Sequence, residues 1–142
     1  MKFILLKINC WPLIHHLLEK WKKWMKNNKI YSDCYQTCIH IFNRTKSFPK
    51  HLRPTLGRKM EESILVCLLS IQKANVSRHP QRMDHLYMAS NSLDDLRSLV
   101  NLSKDMQALN PAGYSEILEL TKLIGRELGG VIKYEKKQLS TN

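Results

Sequence analysis

Six histidines, four cysteines and twelve carboxylates are the groups in this 142-residue chain that could do chemistry, and their spacing argues against each obvious use. His15-His16, His40, His51, His79 and His85 are scattered and read as surface or half-buried side chains rather than ligands or bases. Glu61-Glu62 and Asp94-Asp95 are adjacent positions that would point in different directions from a helix, so neither doublet pairs an acid with a base. Cys34 and Cys38 stand one helical turn apart and could share a metal, but no Cys or His pair at finger-like spacing completes such a site. With Cys67 they lie among apolar neighbours, and together with Cys10 they read as structural thiols of a reducing cytosol. There is no P-loop, GxSxG, HExxH, EF-hand loop or Glu-x-x-His pair. The expectation is a protein without catalysis, metal or cofactor.

The cations are the informative chemistry. Net charge is +11, and it is unevenly placed. Residues 1–28 hold six lysines against Glu19, and residues 29–59 hold seven Lys/Arg against Asp33, while the remainder is close to neutral. Such a bias points to a phosphate-rich partner, because each cation near a phosphate releases condensed counterions; a merely solvated basic face is the plain alternative. Lys46, Lys50, Arg53, Arg58 and Lys59 cluster by sequence, and Arg78, Arg82 and Arg97 follow as further candidates for nucleic-acid contact.

The elements that must position these side chains are all helical, since no period-two alternation runs for a useful length. In residues 12–26 the apolar positions Leu13, Ile14, Leu17, Leu18, Trp21, Trp24 and Met25 fall on one face, with Lys20, Lys22, Lys23 and Lys26 opposite. A helix of that kind lies on a membrane surface, docks on a partner, or packs on its own bundle. The spacing predicts a second helix from about Lys29 to Ser47, stopped by Phe48-Pro49. A third, capped by Thr55, runs from about Leu56 to Asn75. Its run Ile64–Ile71 is apolar nearly all round, which implies cover on more than one side and hints at an oligomer interface. A fourth opens at His79-Pro80, with Pro80 as its first residue and Leu86, Ala89, Leu93, Leu96 and Val100 inward. The last follows Asn110-Pro111 and runs to about Tyr134, with Tyr114, Ile117, Leu118, Ile124, Leu128 and Ile132 inward. Gly125 and Gly129 share a face of it, suited to close approach of another helix.

The expected architecture is all-α: an antiparallel up-down four-helix bundle over residues 29–142, preceded by a basic amphipathic extension over 1–28. Met1–Lys7 begins like a signal peptide, but Lys7 and Asn9 break the apolar run too early. With no stretch long enough to span a bilayer, a cytoplasmic protein is expected.

Three groups of residues carry a family resemblance. Phe48-Pro49-Lys50 with Thr55-Leu56-Gly57-Arg58 resembles the joint between the first two helices of Avd, the accessory variability determinant of diversity-generating retroelements. Ile124–Lys133 is similar to that family's close, with Val131 where the family has tryptophan, and Leu93-Asp94-Asp95-Leu96-Arg97 is similar to its third helix. The landmarks cover roughly residues 30–134 and occur in the family's order. The resemblance implies a non-catalytic homopentamer of four-helix bundles whose basic surface binds reverse transcriptase and RNA or DNA during mutagenic cDNA synthesis. The ribosomal-RNA intervening-sequence proteins share the bundle and a related joint; they imply an interaction module without that enzyme.

Overall fold

The computed structural model describes residues 11–141. The Met1–Lys7 segment and Cys10 lie outside those residues. Five α-helices follow in order: α1 Trp11–Asn27, α2 Lys29–Thr45, α3 Arg58–Val76, α4 Gln81–Asp105 and α5 Pro111–Ser140, and the described residues hold no strand. α2 packs on α3 and α5, and α4 on the same two, so α2–α5 form an antiparallel four-helix bundle with α2 and α4 on opposite corners. α1 sits outside it and touches α2.

The core is drawn from the stripes that periodicity marks. Cys34, Ile41, Met60, Ile64, Cys67, Ala89, Leu96, Val100, Ile117 and Ile124 are fully buried, while Tyr114, Leu118 and Ile132 are half-buried at its margin. The apolar run of α3 faces two ways: Ile64, Cys67, Leu68 and Ile71 point inward, whereas Leu65, Val66 and Leu69 are exposed. The three described cysteines are free and buried. Hydrogen bonding with Cys38 and Cys67, followed by burial, pushes the Cys34 thiol far above its ordinary range, so it stays neutral. No cluster of potential metal ligands occurs among the described residues.

The helix ends depart from expectation in three places. Thr55 is not a helix cap: its hydroxyl donates backward to the Leu52 carbonyl (3.3 Å) inside a single π-helical turn, Arg53–Gly57, that runs directly into α3. Pro54 supplies the reason, since it lacks an N–H, and Gly57 instead reaches five residues back to Leu52 (3.0 Å). Pro80 precedes α4 as its cap residue rather than opening it. α5 extends past Tyr134 to Ser140, because Glu135-Lys136-Lys137-Gln138 are good helix formers with no stop signal among them. The Asn110-Pro111 start holds as expected, the Asn110 side chain accepting from the Gly113 N–H at 2.7 Å.

The end of α4 is a feature for which no expectation was stated. Gln107 has φ 58°, and around it Ala108 N–H bonds the Ser103 carbonyl (2.8 Å) and Gln107 N–H that of Lys104 (3.0 Å). This is a Schellman stop made without glycine. Gln107→Gly is expected to stabilise the chain by about 1 kcal/mol, since glycine reaches this conformation without the Cβ penalty. A urea midpoint shifted upward at unchanged m-value is the check.

Candidate nucleic-acid interface

The up-down topology puts residues 46–57 and the α4–α5 loop at one end of the bundle, and the α3–α4 loop and the α1–α2 joint at the other. α3 alone is 19 residues long, so the two ends are about 28 Å apart. This divides the candidate cations. Lys46, Lys50, Arg53, Arg58 and Lys59 share the first end; Arg78 and Arg82 belong to the second; Arg97 sits on α4 between them.

Several of these cations already have structural partners. Arg53 folds back to donate to the carbonyls of Lys46 (2.6 Å) and Phe48 (3.3 Å), stitching the joint to itself. Arg82 donates to Glu135 (2.8 Å) and to the Ala74 carbonyl (2.9 Å), and His79 reaches the same carboxylate at 2.8 Å. Glu135 is only 12% exposed, so that pair closes the far end of the bundle. Arg97 donates to Asp94 (2.7 Å) and to the Thr121 carbonyl of α5 (3.0 Å). Its guanidinium explains Gly125: a Cβ there would stand 2.1 Å from Arg97 Nη2. The close neighbour of Gly125 is therefore a side chain and not another helix, while Cβ atoms at Gly129 and Gly130 would meet nothing within 4 Å.

The remaining cations are exposed. Lys50 and Arg78 are exposed and enter no ion pair among the described residues. Among the described residues Lys46 bonds only Asn43, at 3.2 Å. Arg58 and Lys59 both bond Glu62, at 3.0 and 2.9 Å. Those two bonds hold the carboxyl below its ordinary value, and the trio still leaves one positive charge. Lys104, which sequence reasoning passed over, lies at this same end above the Tyr114 ring, 4.9 Å from its centroid. Only the pairing of the two end loops reveals it. Arg58, Lys59 and Glu62 also rim a recess of about 650 Å³ floored by Leu52, Leu56, Leu99, Leu102 and Met106. The end thus presents cations around an apolar floor, an arrangement that accepts phosphate on the rim and apolar surface within.

The end is anchored to the bundle by buried and half-buried polar contacts. Thr45, fully buried, bonds the Glu61 carboxylate across from α3. Arg44 of α2 pairs with Glu116 of α5, which also meets His40 at 2.9 Å. The Arg44 bond, helped by its charge and by His40, holds the Glu116 carboxyl below its ordinary 4.5. A lowered carboxyl contributes stability above 4.5 and loses it as pH falls through the folded-state value. Glu116→Gln is expected to cost about 1 kcal/mol at neutral pH, kept small by solvent screening, and nothing in strong acid. Urea midpoints of both proteins, taken down a pH series, should converge on acidification.

The described residues thus form a basic-ended four-helix bundle with no cluster of potential metal ligands among them. The bAvd-like family model matches residues 24–135, and the chain belongs to that family, whose members are accessory rather than catalytic. No curated protein sequence matches the chain. Its fold is similar to the crystal structure of a protein of unknown function from the S23 ribosomal protein family of Bacteroides thetaiotaomicron. That likeness has a TM-score of 0.70 at 15% identity, covering 76% of this chain and 98% of the other. No described helix is long and apolar enough to cross a membrane.

Proposed function

We propose that this chain is a non-catalytic accessory of a diversity-generating retroelement, binding its reverse transcriptase and template RNA or cDNA through the basic end of the bundle. The observation that carries the reading is the set of exposed cations there, Lys46, Lys50, Arg58, Lys59 and Lys104, with Glu62 as the one acid bonded among them, on a chain of the bAvd-like family. Contacts of this kind are to phosphates, so binding tolerates sequence and weakens steeply with salt. The protein works in the cytoplasm as a homo-oligomer, a pentamer by the family's pattern. The exposed Leu65, Val66 and Leu69 of α3 are apolar surface that self-association would cover.

Titration of the full chain with short single-stranded RNA at low salt, beside a pull-down with the reverse transcriptase of a diversity-generating retroelement, tests both halves. Association with each is the expected result. A chain that binds neither is a structural module of the intervening-sequence type instead.

A further inference from the structure

The thiols of α2 and α3 form a cluster for which a basic binding surface has no use. Cys34 and Cys38 lie one turn apart on α2, and the Cys34 thiol hydrogen-bonds with Cys38 and, across the α2–α3 seam, with Cys67. Cys34 and Cys67 are fully buried, whereas Cys38 is 7% exposed. Cys38 also lines an open recess of about 280 Å³ on the α2–α3 face, walled by Tyr35, Ile39, Phe42, Leu65 and Leu68. It is the member of the cluster that a small molecule can reach.

The three sulfurs are not chemically equivalent. Cys34 keeps its proton, and its hydrogen bond holds the Cys38 thiol below its ordinary value, outweighing burial with the help of Cys38's own backbone N–H. The thiolate is the nucleophilic form of cysteine, so access and reactivity fall on the same sulfur. When protonated, the Cys38 thiol donates to the Ile64 carbonyl of α3, 3.8 Å away. That is a long bond made by a weak donor. A hydroxyl carried on the sulfur would place a stronger donor beyond it, within reach of the same carbonyl.

We propose that Cys38 is a modification site for a small organic hydroperoxide, admitted by the apolar recess and reduced at the Cys38 sulfur, which is left as a sulfenic acid at the α2–α3 seam. The Cys38 thiolate attacks the terminal peroxide oxygen. The S–O bond forms, the O–O bond breaks, and the hydroxyl passes to sulfur. The alkoxide leaves with the O–O electron pair and takes a proton from water to become the alcohol. Sulfur gives up an electron pair and the hydroperoxide receives it, so no further oxidant is required. The hydrocarbon walls favour an alkyl or aryl peroxide over hydrogen peroxide, because the organic group gains by leaving water. They also disfavour the charged sulfenate through which a second oxidation would pass, so the modification stops at a state that thiols reverse. The inference does not depend on RNA or on reverse transcriptase.

The test treats the full chain with cumene hydroperoxide and, separately, with hydrogen peroxide. Dimedone traps sulfenic acid, and mass spectrometry maps the adduct at Cys34, Cys38 and Cys67. The expected result is an adduct at Cys38 alone of these three, formed faster with cumene hydroperoxide. Leu65 belongs also to the apolar surface that self-association would cover, so labelling is read on the chain as it assembles. Ile39→Gln, at an exposed wall position, should remove most of the preference between the peroxides and leave the urea midpoint nearly unchanged. Cys34→Ala keeps the recess and takes away the hydrogen bond, so labelling should slow and its pH profile move to higher pH. An adduct at Cys34 or Cys67, equal rates with the two peroxides, or a disulfide within the cluster in place of the adduct would each overturn the proposal. If Cys38 labels only after unfolding in urea, it is a packing residue and the proposal fails, whatever RNA titration reports.

Discussion

Phe48→Ala is expected to lower stability by about 3–5 kcal/mol, the largest loss from any single truncation in the basic joint. Phe48 is 1% exposed and is among the largest fully buried side chains. It occupies the point where α2 hands over to the π turn: its N–H bonds the Thr45 carbonyl at 3.1 Å and its own carbonyl accepts from Arg53 at 3.3 Å. A Cβ built on Gly57 would lie 3.5 Å from its ring, so the ring is wedged between the two ends of the joint. Removing the ring leaves a void that Pro49 and Pro54, with fixed backbone angles, cannot collapse to fill. Against the 5–15 kcal/mol typical of a whole domain, the fraction lost is large. Urea unfolding should show a much lower midpoint at unchanged slope, and Phe48→Leu should restore most of the difference. A loss below about 1 kcal/mol would mean that the joint is not organised around this ring.

The helices were legible because their signals are local. Leu86, Ala89, Leu93, Leu96 and Val100 are all buried as the 3.6-residue period places them, and the Asn110-Pro111 start is read directly from residue types. The joints were less legible because their bonds reach outside the window that sets a propensity. Thr55 in front of an apolar run reads as a cap, yet the backbone is already helical at Leu52, so its hydroxyl has a carbonyl to serve and no free N–H. Gln107 gives no warning of a left-handed residue, since glycine or asparagine usually takes that place at a helix end.

The same distinction separates the cations. In one dimension Arg53 and Lys50 are equivalent neighbours, and Arg82 is one more arginine on a helix. In three dimensions Arg53 is spent on two carbonyls of the joint and Arg82 on Glu135 from an element 53 residues away. Sequence marks the basic joint as one stretch of chain. It could not tell holding charges from presented ones, nor add Lys104, because both depend on which helix ends meet. Gly125 carries a similar lesson, its neighbour being the Arg97 guanidinium from α4.

That distinction sets the second large effect. Lys46, Lys50, Arg58, Lys59 and Lys104 of one chain, with Glu62 cancelling one charge, present about four effective cations to single-stranded RNA, which gives a slope of log affinity on log salt near −3. Raising salt from about 50 to 200 mM should therefore weaken binding roughly fifty-fold. Lys46→Ala with Lys50→Ala removes two phosphate contacts, so the slope should become shallower by about 1.4. Stability should barely change, because both lysines are exposed and neither holds a carboxylate. Arg82→Ala makes the opposite separation. It takes the guanidinium from Glu135, which is 12% exposed, and from the Ala74 carbonyl. That change should cost about 1.5–3 kcal/mol and leave the salt slope as it was. Fluorescence anisotropy over a salt series, with urea unfolding on the same proteins, reads both quantities. If the double-lysine variant keeps the wild-type slope, the RNA face lies elsewhere on the bundle. If Arg82→Ala flattens the slope as much, the far end binds as well, and the charges that hold the fold and those that meet the ligand are not separate sets.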